Sequence, residues 1–267
     1  MKRVPLWLKP VYGFMFAVVS IPVLAQAGAL EGGTWRFSTG FDYSSGDYGE
    51  SVDTDITYLP FTARYEALPW TFKLTVPYIR IKGPGNVIGG GVDGSVVIRG
   101  GQTQVTTESG LGDIVASVGY ELPVESDTTI YEVTGKVKLG TADETKRLGT
   151  GENDVSAQFD VITTYNQFTP FATAGYRSTG DPPNIDLENV FYFSLGTGYR
   201  LDDRRSVGAI YDFRESASRT SGDSQELVGY LTHRYDSPWS WLGYVSLGLS
   251  DNAPDQNIGM QWTYRYE

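Results

Sequence analysis

The stretch Ile258-Gly259-Met260-Gln261-Trp262-Thr263-Tyr264-Arg265-Tyr266 decides the fold. Ile258, Met260, Trp262, Tyr264 and Tyr266 occupy every second position, with Gly259, Gln261, Thr263 and Arg265 between them. On a helix, at about 100° per residue, those five apolar side chains would scatter around the axis. On a strand, successive side chains point to opposite faces, so the five share one face. The segment reads as a strand with one apolar and one polar side.

The same reading repeats upstream. Trp35, Phe37, Phe41 and Tyr43 alternate with Arg36, Ser38, Gly40 and Asp42. Trp70, Phe72, Leu74, Val76 and Tyr78 alternate with Thr71, Lys73 and Thr75. Further sets are Ile114 to Leu122, Tyr131 to Leu139, Val155 to Tyr165, Phe191 to Leu201 and Val207 to Phe213. Weaker strands run through 51–65, 170–178, 225–235 and 240–250, where register is ambiguous. Tyr58 and Pro60 predict a bulge in the first of them. The count comes to about twelve strands at about 20 residues per strand and connection, and a membrane crossing uses about 9–11 of those.

Alternate connections are short: Glu66–Pro69, Pro123–Asp127, Asn166–Thr169, Asp202–Arg205 and Asp236–Trp239. The intervening ones are longer and variable, the longest running from Gly83 to Gly110. Short turns at one end and long loops at the other, an even strand count, and aromatics near strand ends are the pattern of a transmembrane antiparallel up-and-down β-barrel. A soluble sandwich would show the same stripes without that asymmetry. The expected fold is therefore an all-β transmembrane barrel of about twelve strands spanning residues 28–267.

The first residues place the chain outside the cytoplasm. Lys2, Arg3 and Lys9 precede an apolar run from Val11 to Leu24 that Pro22 interrupts, and Ala25-Gln26-Ala27 follows. This is the layout of a cleavable signal over residues 1–27, and the run is too short for a membrane-spanning helix. No later window is long and apolar enough to cross as a helix, so any crossing is by a closed barrel. The expected location is a Gram-negative outer membrane.

The formal charge is −11, and removing Lys2, Arg3 and Lys9 makes it −14. That argues against nucleic acid, which selects basic surfaces, and fits poorly with a channel built purely for anions. The chain has no cysteine, which removes disulfides and thiolate metal sites together.

Ser109-Gly110-Leu111-Gly112-Asp113-Ile114, continuing to Tyr120, resembles a strand opening in a family of outer-membrane proteins named for the meta-pathway of phenol degradation. The resemblance continues through Gly196–Leu201, Tyr211–Ser216 and Gly243–Tyr266, including Gly248-Leu249-Ser250-Asp251. It implies an outer-membrane channel or uptake protein, in some members associated with aromatic compounds. No residue-level site comes with it. The alternating aromatics of the tail imply recognition by the barrel-insertion machinery, although Tyr266 is penultimate and Glu267 follows.

Catalysis finds little support. A Ser–His nucleophile needs a histidine beside a hydroxyl, and the lone histidine, His233, shares parity with Leu227, Leu231 and Tyr235 on the apolar face. Asp47, Glu50, Asp53 and Asp55 have the ligand chemistry for calcium but read as solvated loop charges. No metal, cofactor or enzymatic activity is assigned.

The inward polar residues are the better candidates. Arg36, Lys73, Glu132, Lys136, Lys138, Asp154, Asp160, Arg200, Asp212, Arg214 and Arg265 are expected to line the lumen. If the fifth and sixth strands pair across their loop, Lys138 faces Asp154 and Glu132 lies near Asp160. Charges of both signs either brace the wall or set up a field across a narrow water path. In the long connection, Gly83, Gly89, Gly90, Gly91 and Arg99 are gate-loop candidates around the apolar run Val96-Val97-Ile98. The competing reading is an extended hairpin with glycine turns, which the composition slightly favours.

The function that emerges is a channel passing small solutes, with aromatic or amphipathic compounds as candidates, through a mixed-charge lumen. The alternative is a non-conducting barrel whose acidic loops contact lipopolysaccharide or a partner. Either would sit among outer-membrane lipids.

Overall fold

In the computed structural model the described residues are 33–84, 87–88, 97–98, 104–182, 186–219 and 221–267. Residues 1–27, read above as a signal, lie outside them. The strands are β1 (Thr34–Gly46), β2 (Thr54–Ala67), β3 (Trp70–Gly83), β4 (Val87–Ile88), β5 (Val97–Ile98), β6 (Thr106–Leu111), β7 (Ile114–Glu121) and β8 (Thr129–Leu139), followed by β9 (Asp154–Thr163), β10 (Phe168–Ser178), β11 (Val190–Arg200), β12 (Arg205–Arg214), β13 (Ser224–Arg234), β14 (Trp239–Gly248) and β15 (Gln256–Tyr266).

Apart from the small β4–β5 ladder, every strand pairs antiparallel with its neighbours, and β15 returns to pair with β1, Arg265 opposite Arg36 and Met260 opposite Phe41. β6 and β7 both pair with β3 and are two halves of one crossing, so twelve strands close the barrel. Closure leaves no free sheet edge, which lets a sheet stand in a medium without hydrogen-bonding water. Among the described residues no helix is long and apolar enough to cross a membrane; the crossing is made by strands.

The β6–β7 junction is a bulge. Thr75 pairs with Val115 and Tyr78 with Leu111, so three steps on β3 oppose four on its partner. One extra residue reverses which parity faces inward. Glu108 and Gly110 share the face of Ile81 and Ile79, whereas below the bulge Asp113, Val115 and Ser117 are the buried ones. Gly112 donates its backbone N–H to the Pro77 carbonyl at 2.9 Å.

The bulge expected at Tyr58 and Pro60 is absent. β2 keeps a single register with β3 from Asp55 opposite Lys82 to Ala67 opposite Trp70. Pro60, directly opposite Pro77, brings no donor to the ladder but adds no residue.

The distribution of side chains is inverted relative to a soluble domain. Phe37, Phe61, Val133 and Tyr176 are exposed on the outside, while Glu132, Lys136, Lys138 and Asp160 are buried. The outer apolar band and its aromatic borders match a lipid-facing belt. Cross-strand aromatic pairs gather at the short-turn end: Trp35–Tyr65 with centroids 4.9 Å apart, Trp70–Tyr120 at 4.7 Å and Trp239–Tyr264 at 5.0 Å. Each such pair contributes about 0.2–1 kcal/mol beyond alanine.

Candidate functional site

The inner face of the barrel divides into two walls. On β7, β8 and β9 it is charged. The β8–β9 register sets Lys138 opposite Asp154 and Glu132 opposite Asp160. Lys138 Nζ lies 3.3 Å from Asp154 and 3.2 Å from Asp113, and donates to Thr150 Oγ1 at 3.1 Å. The bulge makes this possible, because the phase reversal turns Asp113 inward. Asp113 also accepts the Ala142 N–H at 2.9 Å, and Asp154 accepts that of Gly180 at 3.1 Å, so the cluster ties two long loops to the wall. A lysine with three donors suits a node shared by two carboxylates and a hydroxyl.

One level nearer the short turns, Lys136 Nζ donates to the Gln158 carbonyl oxygen, and Gln158 Nε2 donates to Asp160 at 2.8 Å. Thr173 donates to Asp160 at 2.6 Å, and Thr134 to Glu132 at 3.0 Å. Lys136 also sits 5.5 Å from the centre of the Tyr192 ring, within cation–π range. These groups are fully withdrawn from solvent yet hydrogen-bonded, which is the condition for burying charge.

From β10 to β15 the inner wall is built differently. Tyr192 lies directly opposite Gly175, Phe171 opposite Gly196, Tyr230 opposite Gly208, and Tyr244 opposite Gly259. In each pair a Cβ on the glycine would come within about 2.3 Å of the ring. Each ring therefore lies over the bare backbone of its glycine partner, in the space a Cβ would take. Phe171, Ile210, Val228, Tyr230, Leu242 and Tyr244 form one buried cluster along this side, joined by Ile162 from β9 and by Tyr58 from β2. Polar groups interrupt it: Tyr244 donates to Asp42, Ser194 to Asp212, and Ser246 to Glu226 at 2.9 Å.

At the long-loop end, Val87 and Ile88 cross the mouth. Val87 is buried with Tyr48, Ile56, Ile79, Ile81, Ala142 and Leu148, beside β2 and β3. Ile88 is buried with Leu187, Val190 and Ala217, at β11 and its neighbouring loops. Two consecutive residues thus touch sides of the barrel five strands apart in the order β3, β6/β7, β8, β9, β10, β11. Burial pushes the Tyr48 phenol up from its ordinary pKa in this cluster. Outside it, Arg219 clasps Asp186 and Glu188 at 3.0 Å each and is held protonated by them, Glu188 first.

Within the long connection β4 and β5 pair with each other as a small separate ladder, and Val87 and Ile88 are buried against opposite sides of the mouth. Gly83 ends β3 opposite Thr106, and its missing Cβ leaves room for Thr54. Gly89, Gly90, Gly91 and Arg99 lie outside the described residues.

The eleven charged residues singled out from the sequence fall on the face opposite the exposed aromatics. Glu132, Lys136, Lys138, Asp154, Asp160 and Arg214 are buried, and Arg36, Lys73, Arg200 and Asp212 are half-buried. Arg265 is exposed at the short-turn rim, 3.1 Å from Glu267. Asp42, Arg64, Glu66, Asp113, Arg177 and Glu226 share that face and were not singled out. His233 points outward, edge-on to Tyr235 at 4.6 Å and tilted toward Trp241. Among the described residues no group of three or more metal-type ligands gathers, and Asp55 instead binds Tyr43, Ser45 and Lys82.

Residues 36–266, nearly the whole barrel, match the family described as "Putative MetA-pathway of phenol degradation". The chain belongs to this family. The family member's barrel is similar to an outer-membrane channel from Pseudomonas putida F1, with a TM-score of 0.64, 13% identity, and coverage of 89% of this chain and 97% of that one. It is also similar to the NanC porin (TM-score 0.56, 8% identity, 86% of this chain and 100% of that one). A third likeness is to the KdgM porin in complex with disordered oligogalacturonate (TM-score 0.51, 9% identity, 86% and 99%). At these identities the likeness establishes the fold: a transmembrane antiparallel up-and-down barrel of the outer-membrane type.

Proposed function

We propose that this barrel is an outer-membrane channel for small solutes, aromatic and amphipathic compounds among them, with its short turns in the periplasm. The observation that carries the reading is the division of the interior into a charged wall and a wall of rings laid flat on glycines. A solute with a polar edge and an apolar face meets a partner for each.

The lumen-lining set in this reading is Arg36, Lys73, Glu132, Lys136, Lys138, Asp154, Asp160, Arg200, Asp212, Arg214 and Arg265. The hairpin at the mouth acts as a gate, its closed state held by Val87 and Ile88. Signal cleavage after Ala25 or Ala27 and insertion by the barrel-assembly machinery complete the account.

Reconstituted in planar bilayers, the protein should give discrete conductance steps. Deleting 84–105 should enlarge the steps or raise the open fraction. A barrel that stays silent with and without the hairpin refutes the channel. One observation favours the second reading, a surface-binding barrel without conduction: Lys136, Lys138 and Arg177 are packed so tightly that each is about 1% exposed. In that case the deletion alters binding to lipopolysaccharide and leaves the bilayer quiet.

A further inference from the structure

Near the short-turn end, four cations stand in register on four consecutive strands. Arg265 on β15 lies opposite Arg36 on β1, Arg36 opposite Arg64 on β2, and Arg64 opposite Lys73 on β3. Directly opposed residues bring their Cβ atoms to about 4.5–5.5 Å, and like charges at that spacing repel. A chain with a formal charge of −11 has thus concentrated positive charge in one row of its inner wall.

The counter-charge within the row is small. Glu66 lies 3.1 Å from Arg36 Nε and 2.9 Å from Arg64 Nε. Glu267 meets Arg265 at the rim, where both side chains are largely solvated, so the pair is screened. Beyond Lys73 the register runs through Ser117 to the cation Lys136, and Glu132 is the carboxylate that acts on the Lys73 end; Arg234 adds a further cation on β13. Arg36 and Arg64 keep 15% and 13% of their side chains exposed.

We propose that this row is an anion-binding shelf at the inner exit of the barrel, holding the carboxylate of a small organic acid. A planar guanidinium presents a donor fork that matches the two oxygens of a carboxylate. One anion bridging neighbouring cations relieves the repulsion that the register imposes. The shelf rests on the channel reading for its place on a transport path, though not for binding itself.

Titrating benzoate into the folded protein in detergent tests the shelf, with benzyl alcohol as the uncharged probe. Lys73→Gln and Arg265→Gln remove the ends of the row while leaving the Arg36–Glu66–Arg64 pairs intact. A difference in gel mobility between unheated and heated samples verifies folding. Benzoate should bind saturably, and the double variant should bind at least tenfold more weakly, the scale of a lost charge-assisted hydrogen bond. Lys73→Arg should retain affinity, Lys82→Gln on the outer surface should change nothing, and benzyl alcohol should not saturate.

No saturable benzoate binding, or equal binding by the folded double variant, overturns the shelf. The same preparations in bilayers separate the two claims. A barrel that binds benzoate but never conducts refutes the channel and keeps the shelf. One that conducts with an anion preference untouched by the double variant keeps the channel and refutes the shelf.

Discussion

The wall made by β7–β9 and the wall made by β10–β15 enclose one interior by two different physical means. The first is held by charge: Lys138 is shared by Asp113, Asp154 and Thr150, which come from the bulge, a second strand and a loop. The second is held by shape, each ring filling the space that one glycine on the adjacent strand leaves open. A charged node depends on every partner at once, because a buried charge left alone costs far more than a good pair returns. A ring on a glycine is a two-residue device whose failure stays local. The two walls should therefore break in different ways.

The largest effect is expected on the charged side. Lys138→Met leaves Asp113 and Asp154 without their cation and should cost about 3–5 kcal/mol, read as a lower midpoint in thermal or urea unfolding from vesicles. Adding Asp113→Asn to it should recover part of the loss, since one uncompensated charge goes with it. If the double variant is no better than the single, the node is not what holds this wall.

On the ring side the expected loss is smaller. Gly175→Ala forces the Tyr192 ring off the backbone and should cost about 1–3 kcal/mol, the usual range for overpacking. Tyr192 donates to Gln158 at 3.2 Å, so this change also reaches the charged wall, whereas Gly196→Ala disturbs the apolar Phe171 ring. Equal shifts of the unfolding midpoint by both variants would erase the distinction. Gly135, with open space where its Cβ would be, serves as the neutral control.

The smallest effect lies outside both walls, in the short β11–β12 turn. Asp202 accepts the backbone N–H groups of Arg204 at 2.9 Å and Arg205 at 2.8 Å, and the Arg205 side chain at 2.7 Å. The Arg204 backbone bond, followed by the Arg205 side chain, pulls its carboxyl down to about 2. A depressed carboxyl stabilises the fold above its ordinary value, and that contribution fades as the pH falls toward about 2. Asp202→Ala should lower stability slightly above the ordinary carboxylate range and leave it unchanged near pH 2, so that the acid limb of a stability-versus-pH curve is flatter. A change at neutral pH as large as that of Lys138→Met would mean the turn, not the wall, governs stability.

Much of the fold was legible because alternation is local. The outward set from Ile258 to Tyr266 and the inward set from Glu132 to Lys138 follow from parity alone, and loop length was enough to align Lys138 with Asp154. Arg64, Arg177 and Glu226 escaped because they lie in strands whose sequences mix polar and apolar residues on both faces. Asp113 stood in a motif already singled out, but nothing in its neighbours announces the phase reversal that aims it at Lys138. The negative overall charge pointed away from anions, yet the acidic residues crowd the loops while cations line up on the inner wall at one end. A sum over the chain has no information about place.

The amino-acid order determined the strands, which face of each meets lipid, and the asymmetry of turns and loops, since these follow from spacing between near neighbours. The tertiary structure decided the extra residue at Gly112–Asp113, the seating of each ring on its glycine, the passage of Val87 and Ile88 across the mouth, and the Arg265–Arg36–Arg64–Lys73 row. Each of those depends on the register between separate strands or on a loop folding back over the barrel. Register is fixed by the closing of the whole sheet, so no segment by itself specifies it.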